Sequence, residues 1–139
     1  MIVLDTNVVS ELMRAKPSGA VVRWVASQPA ASLYVTSITV AEIFHGVAIL
    51  PAGRRRDAIQ AAAESMFDVE FGGHILPFDG GAARAYAGIA AARRQAGHPI
   101  SNFDAQIAAT TLVARASLAT RNVADFQGCG LKLLNPWDR

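Results

Sequence analysis

The apolar positions of this chain fall into short continuous runs and helical stripes that alternate from one end to the other. Met1 to Leu4 is wholly apolar and runs straight into Asp5-Thr6-Asn7, the pattern of a buried strand that delivers its last residue to a polar pocket. Asn7 to Arg14 reads as a short helix, broken by Pro17 and Gly19. Val21, Val22, Trp24 and Val25 recur at helical spacing and predict a second helix that ends before Pro29. Leu33-Tyr34-Val35-Thr36 is rich in strand formers and predicts a second strand. A third helix from Thr39 to about Leu50 puts Val40, Ile43, Phe44 and Val47 on one face, and Pro51-Ala52-Gly53 closes it.

The second half continues the alternation. A helix runs from Arg54 to roughly Phe67, and Gly72-Gly73 precedes a third strand, His74 to Phe78. Asp79 caps a long alanine-rich helix that ends near Gln95. Ser101-Asn102-Phe103-Asp104 opens a helix to about Ser117, followed by a short strand, Leu118 to Thr120, and a last strand, Leu131 to Leu134. The pattern predicts an α/β three-layer sandwich, with a central parallel sheet of about five strands and helices on both faces. In such sheets the ligand crevice lies just beyond the carboxyl ends of the strands, where Asp5 falls. No repeat, linker or low-complexity tract interrupts the 139 residues, so residues 1–139 are read as a single domain.

Composition adds a few bounds. Hydrophobic content of 52% and a mean hydropathy of +0.26 suit alanine- and valine-rich helices packed on a buried parallel sheet, and also a hydrophobic homodimer interface. The apolar stretch from Ser32 to Leu50 contains Glu42 near its middle, where a charge in lipid costs roughly 2.5–3.5 kcal/mol or more, so it is read as strand then helix and no membrane association is expected. No basic segment precedes the first apolar run, which Asp5 ends, so no secretory signal and a cytoplasmic location are expected. Cys129 is the one cysteine, which excludes a disulfide framework and a thiolate cage. Thirteen basic against 11 acidic side chains give +2; with four of the acids gathered in one pocket, the remaining surface would attract a polyanion.

Four acidic positions fall at comparable places in this layout. Asp5 follows the first strand, Glu42 lies early in the helix after the second, Asp104 opens the helix before the fourth, and Asp125 follows the fourth. Gathered at one sheet edge, like charges raise one another's pKa and call for a cation. Oxygen donors without cysteine or paired histidine favour Mg2+, with Mn2+ as the alternative, and metal-assisted phosphodiester hydrolysis is the chemistry such a site performs. The same residues also fit a plainer use: Thr39-Val40-Ala41-Glu42 has the spacing of a capping box, and Ser101-Asn102-Phe103-Asp104 approximates it. Asp5 is harder to explain that way, because a charge after an apolar strand needs a partner.

Leu4-Asp5-Thr6-Asn7-Val8, Thr39-Val40-Ala41-Glu42, the block Asp104 to Thr110, and Thr120-Arg121-Asn122 together resemble the signature blocks of PIN-domain ribonucleases, in order and over essentially the whole chain. The likeness is greatest to the VapC-type toxins of bacterial toxin–antitoxin pairs; Ile75 to Asp79 and Asn135-Pro136-Trp137 resemble the FitB-like branch. The resemblance implies a magnesium-dependent endoribonuclease with catalytic, metal-binding Asp5, Glu42 and Asp104. The family's fourth polar ligand, often an aspartate after the Thr-Arg pair, falls on Asn122, an uncharged amide, so Asp125 takes that role or a second metal is held less tightly. Thr6, Asn7 and Thr120 would orient the acids; Arg121, directly after the fourth strand, is placed either to face the scissile phosphate or as an ordinary surface arginine. The resemblance further implies an RNA substrate, a cognate antitoxin with its own DNA-binding domain, promoter DNA bound through that antitoxin, and a homodimer. The departure at Asn122 keeps a second reading in play: a catalytically weak partner whose main task is to assemble with the antitoxin as a DNA-bound autorepressor.

Two basic runs, Arg54 to Arg56 and Arg93-Arg94, are candidate RNA contacts, with a solvated helix face as the ordinary alternative. His45, His74 and His98 share no metal-ligand spacing, and the glycines form no nucleotide-binding loop. Trp24 and Phe44 suit core packing, or a partner contact if exposed.

Overall fold

The computed structural model describes residues 1–138. Five parallel strands form the sheet: β1 (Ile2–Leu4), β2 (Leu33–Thr36), β3 (Ile75–Leu76), β4 (Ser117–Ala119) and β5 (Leu133–Leu134), in the spatial order β3-β2-β1-β4-β5. Six α-helices connect them: α1 (Thr6–Leu12), α2 (Gly19–Ala26), α3 (Ser37–Ala48), α4 (Arg54–Ser65), α5 (Gly80–Gln95) and α6 (Asn102–Val113). β1 is central because its side chains are apolar on both sides: Leu4 packs in one core with Val8, Val35, Ile43 and Phe67, and Val3 in the other with Ile107, Leu118 and Phe126. Two cores separated by one sheet make three layers, as the alternation of strand and helix predicts. Each fully buried aliphatic side chain of this kind contributes about 1.5–3 kcal/mol.

The order of strands reverses direction at β1. β2 and β3 lie to one side of it and β4 and β5 to the other, so the crevice beyond the strands' carboxyl ends opens between β1 and β4. The backbone N–H of Asp5 donates to Ala119 O at 2.9 Å, which sets Asp5 beside Thr120 at that switch point.

Several boundaries differ from the sequence reading. The third helix begins at Ser37, not Thr39, because Thr36 is its N-cap and accepts from Thr39 N–H at 3.2 Å. The fourth helix leaves α geometry after Ser65 and widens into a π-turn, Met66–Glu70. The sixth stops at Val113 rather than Ser117, and Arg115 beyond it takes a left-handed φ of 56° that turns the chain into β4. β3 and β5 shrink to two residues each, since each is an edge strand with one neighbour. Asp79 does cap α5, accepting from Ala82 N–H at 2.9 Å. Trp24 and Phe44 both pack against the core, Phe44 with its ring 5.7 Å from that of Phe67. Among the described residues, no helix is long and apolar enough to cross a membrane.

Candidate active site

The chain places three carboxylates on one cavity of about 520 Å³ at the switch point: Asp5 from the end of β1, Glu42 from the second turn of α3 and Asp104 from the first turn of α6. Thr6, Asn7, Arg121 and Asn122 line the same cavity.

Asp5 is the most constrained of the three, with 4% of its surface exposed. One carboxylate oxygen accepts from Thr6 N–H at 2.8 Å at the start of α1, and the other accepts from the Thr120 hydroxyl at 2.8 Å. Thr120 in turn accepts from Asn7 Nδ2 at 3.3 Å and from Asn122 N–H at 3.1 Å, and Asn7 Oδ1 accepts from Arg121 N–H at 3.4 Å. This network ties the start of α1 to the segment after β4. Thr6 and Thr120 bond acids directly, whereas Asn7 reaches them only through Thr120.

Glu42 does not serve as a capping-box acid. With the helix starting at Ser37, it lies beyond the first turn, and its Oε1 instead accepts from the Thr6 hydroxyl at 2.8 Å; Thr6 Oγ1 also lies 2.9 Å from Thr39 Oγ1. Ser101 caps α6 by accepting from Asp104 N–H at 3.2 Å, so half of the capping pattern at Asp104 is present alongside its place on the cavity.

All three acids sit above their ordinary pKa. Burial is the largest cause for each and pushes Asp5 up to about 6, opposed by its bonds from Thr120 and Thr6 and reinforced by the charges of Asp104 and Glu42. Glu42 is raised by burial and by Asp104, against the Thr6 hydroxyl. Asp104 is raised by burial and by Asp125, against Ser101 and Arg93. Among the described residues none of the three forms an ion pair, the single pair being Arg14 with Glu11. No ion pair among the described residues neutralises the corner, and its donors are hard oxygens, which fits a divalent cation. Among the described residues no three such side chains already stand in a closed metal-holding arrangement, so the acids share a cavity without converging on one point.

Asn122 is on the cavity wall; Asp125, in the 3-10 turn Val123–Phe126, is absent from that wall and is felt there through its charge on Asp104. Arg93 is committed elsewhere than to a free basic patch: its Nε donates to His98 O at 2.7 Å, and its Nη1 to Asp125 O and Gln127 O at 2.8 Å each. Sequence reasoning missed Ser10, Glu11, Arg14 and Trp137, which also line the cavity. Ser10, Glu11 and Arg14 were detectable in principle as the next turn of the helix that Asp5 starts, whereas Trp137 arrives from the far end of the chain.

A family model for the PIN domain matches residues 2–127. The chain is similar to the VapC ribonuclease Y4jK of Sinorhizobium fredii, 43% identical and covering 99% of each chain, and to toxin FitB of Neisseria gonorrhoeae, 38% identical and again covering 99% of each. The solved structure of FitAB bound to an IR36 DNA fragment aligns with a TM-score of 0.92 and 38% identity, over 99% of this chain and 96% of that one. On the strength of the match over nearly its whole length, the chain belongs to the PIN-domain family, in the group of the VapC and FitB toxins.

Proposed function

We propose that this protein is a divalent-metal-dependent endoribonuclease, the toxin of a toxin–antitoxin pair, which hydrolyses RNA phosphodiester bonds. The observation that carries the reading is the meeting of Asp5, Glu42 and Asp104, from three separate elements, on one open cavity with no ion-paired cation to balance them. Membership of the PIN-domain family and the likeness to a VapC ribonuclease support it. Asp5, pinned by Thr6 N–H and Thr120, is the fixed ligand; Glu42 and Asp104, both half-buried, line the same cavity. A bound Mg2+ or Mn2+ would lower the pKa of a water and stabilise charge on the phosphate. Thr6 holds Glu42 in place through its hydroxyl, while Thr120, Asn7 and the Arg121 backbone hold the segment carrying Asn122 against the acids. Asn122 supplies an amide oxygen where the family often has an aspartate, and Asp125 adds negative potential from behind Asp104.

The FitAB relative was solved bound to a DNA fragment, and we extend to this chain a cognate antitoxin with a DNA-binding domain, promoter DNA bound through it, and a homodimer. The test is cleavage of a structured RNA by purified protein with Mg2+ and with EDTA. Cleavage is expected only with the metal and is lost in Asp5→Asn; wild type and Asp5→Asn behaving alike would remove the ribonuclease reading.

A further inference from the structure

The cavity has a second wall whose chemistry is opposite to that of the acidic corner. Arg14 and Arg121 both line it, from the end of α1 and from the residue after Thr120. Arg14 is 67% exposed, yet its head is held: Nη1 donates to both Glu11 oxygens at 3.2 Å, and Glu11, 7% exposed, also accepts from Ser18 N–H at 2.9 Å. Glu11 is thus anchored to the turn after α1 and fixes where the guanidinium of Arg14 stands. Arg121 is placed differently: its guanidinium carbon lies 5.1 Å from the centre of the Trp137 ring, a cation–π contact, and its backbone N–H is tied to Asn7.

The donors on this wall are largely unspent. A guanidinium carries five N–H donors. Among the described residues the Arg121 side chain makes no hydrogen bond or ion pair, and Arg14 uses only Nη1. Among the described residues neither arginine pairs with any of the three acids. The two guanidiniums therefore line the acids' cavity without being spent on them.

We propose that Arg14 and Arg121 form a backbone-phosphate subsite for single-stranded RNA, binding the phosphate that neighbours the one to be cleaved, with Glu11 setting the position of Arg14 and the Trp137 ring that of Arg121. Planar forks of this kind match phosphate oxygens, and two of them lining the same cavity as the three acids let a chain cross it with one phosphate on the arginines and the next at the acids. Backbone contacts of this type supply affinity and register without reading the base. The inference rests on the ribonuclease reading for its placement, but makes its own claim about RNA binding.

The test measures binding separately from cleavage. A short fluorescein-labelled oligoribonucleotide of mixed sequence is titrated by anisotropy, in EDTA, with wild type, Arg14→Gln, Arg121→Gln and the double variant, across a range of salt. Each single change should weaken binding about tenfold and the double about a hundredfold, and each lost contact should reduce the salt slope by about 0.7. Arg121→Lys should keep the slope while losing part of the affinity, since the charge remains and the fork does not. Tm of each variant is measured alongside; Arg121→Gln should stay near wild type because its side chain is exposed, and Arg14→Gln should lose a little because Glu11 keeps only Ser18 N–H. Unchanged RNA affinity and slope in a folded double variant overturn the subsite, as does a wild type that binds no RNA, or a double variant whose only defect is in binding an acidic partner protein. If wild type fails to cleave but RNA binding still falls as stated, the subsite stands and the ribonuclease reading fails.

Discussion

Replacing Asp5 by asparagine should make the metal-free protein more stable. The Asp5 carboxyl has a pKa of about 6 in the fold against 3.8 ordinarily, mainly because burial disfavours its charge. A difference of that size corresponds to about 3 kcal/mol of destabilisation once the group is ionised in both states. The sign follows from proton binding. Below pH 4 both folded and unfolded chains hold the proton and the group is neutral in its effect; from pH 4 to 6 the unfolded chain releases it first and folding stability falls; above 6 the penalty is constant. Asparagine removes the charge but keeps one oxygen, so it satisfies Thr6 N–H or the Thr120 hydroxyl and loses about 1 kcal/mol for the other. The net gain near pH 8 is about 2 kcal/mol, or about 7 °C in Tm for a chain of this length. Thermal melts of wild type and Asp5→Asn in EDTA between pH 3.5 and 8 check this, and the advantage should vanish at the acid end. Added Mg2+ should then raise the wild-type Tm by more than that of the variant. An Asp5→Asn protein no more stable than wild type at pH 8 in EDTA refutes the reasoning.

The supporting network and the fourth corner give further expectations. Thr120→Val strips a buried hydroxyl that donates to Asp5 and accepts from Asn7 and Asn122, so it should cost about 2–3 kcal/mol in a urea melt. It should also push the Asp5 carboxyl further above about 6, moving the rise of RNA cleavage to higher pH. Asn122→Asp adds a carboxylate to the cavity wall; it should lower Tm in EDTA yet tighten Mn2+ binding about tenfold by calorimetry, whereas Asp125→Asn, outside that wall, should change Mn2+ binding far less.

The sequence was most legible where local pattern and tertiary position coincide. Val3 and Leu4 must be buried on opposite faces, which makes the strand central and leaves Asp5 at its open end. Glu42 was harder: a hydroxyl three residues before an acid has capping-box spacing, and only the true cap at Thr36 shows that Glu42 reaches across to Thr6 instead. The end of α6 was overrun because Val113 to Ser117 contains no glycine or proline, and the turn is made by Arg115 in a left-handed conformation. Arg121 was legible as a candidate phosphate contact, but its pairing with Trp137, from the far end of the chain, arises through folding alone. Asp125 and Asn122 stand three residues apart, and the 3-10 turn between them decides which one lines the cavity.

Whether Asp5, Glu42 and Asp104 act together on one cation is tested most directly by titrating Mn2+ into wild type, Asp5→Asn, Glu42→Gln and Asp104→Asn and following binding by electron paramagnetic resonance. Wild type should bind, and each single neutralisation should weaken binding by about tenfold or more while the protein stays folded. Binding that is absent in wild type, or equal in all four proteins, would contradict a shared metal centre.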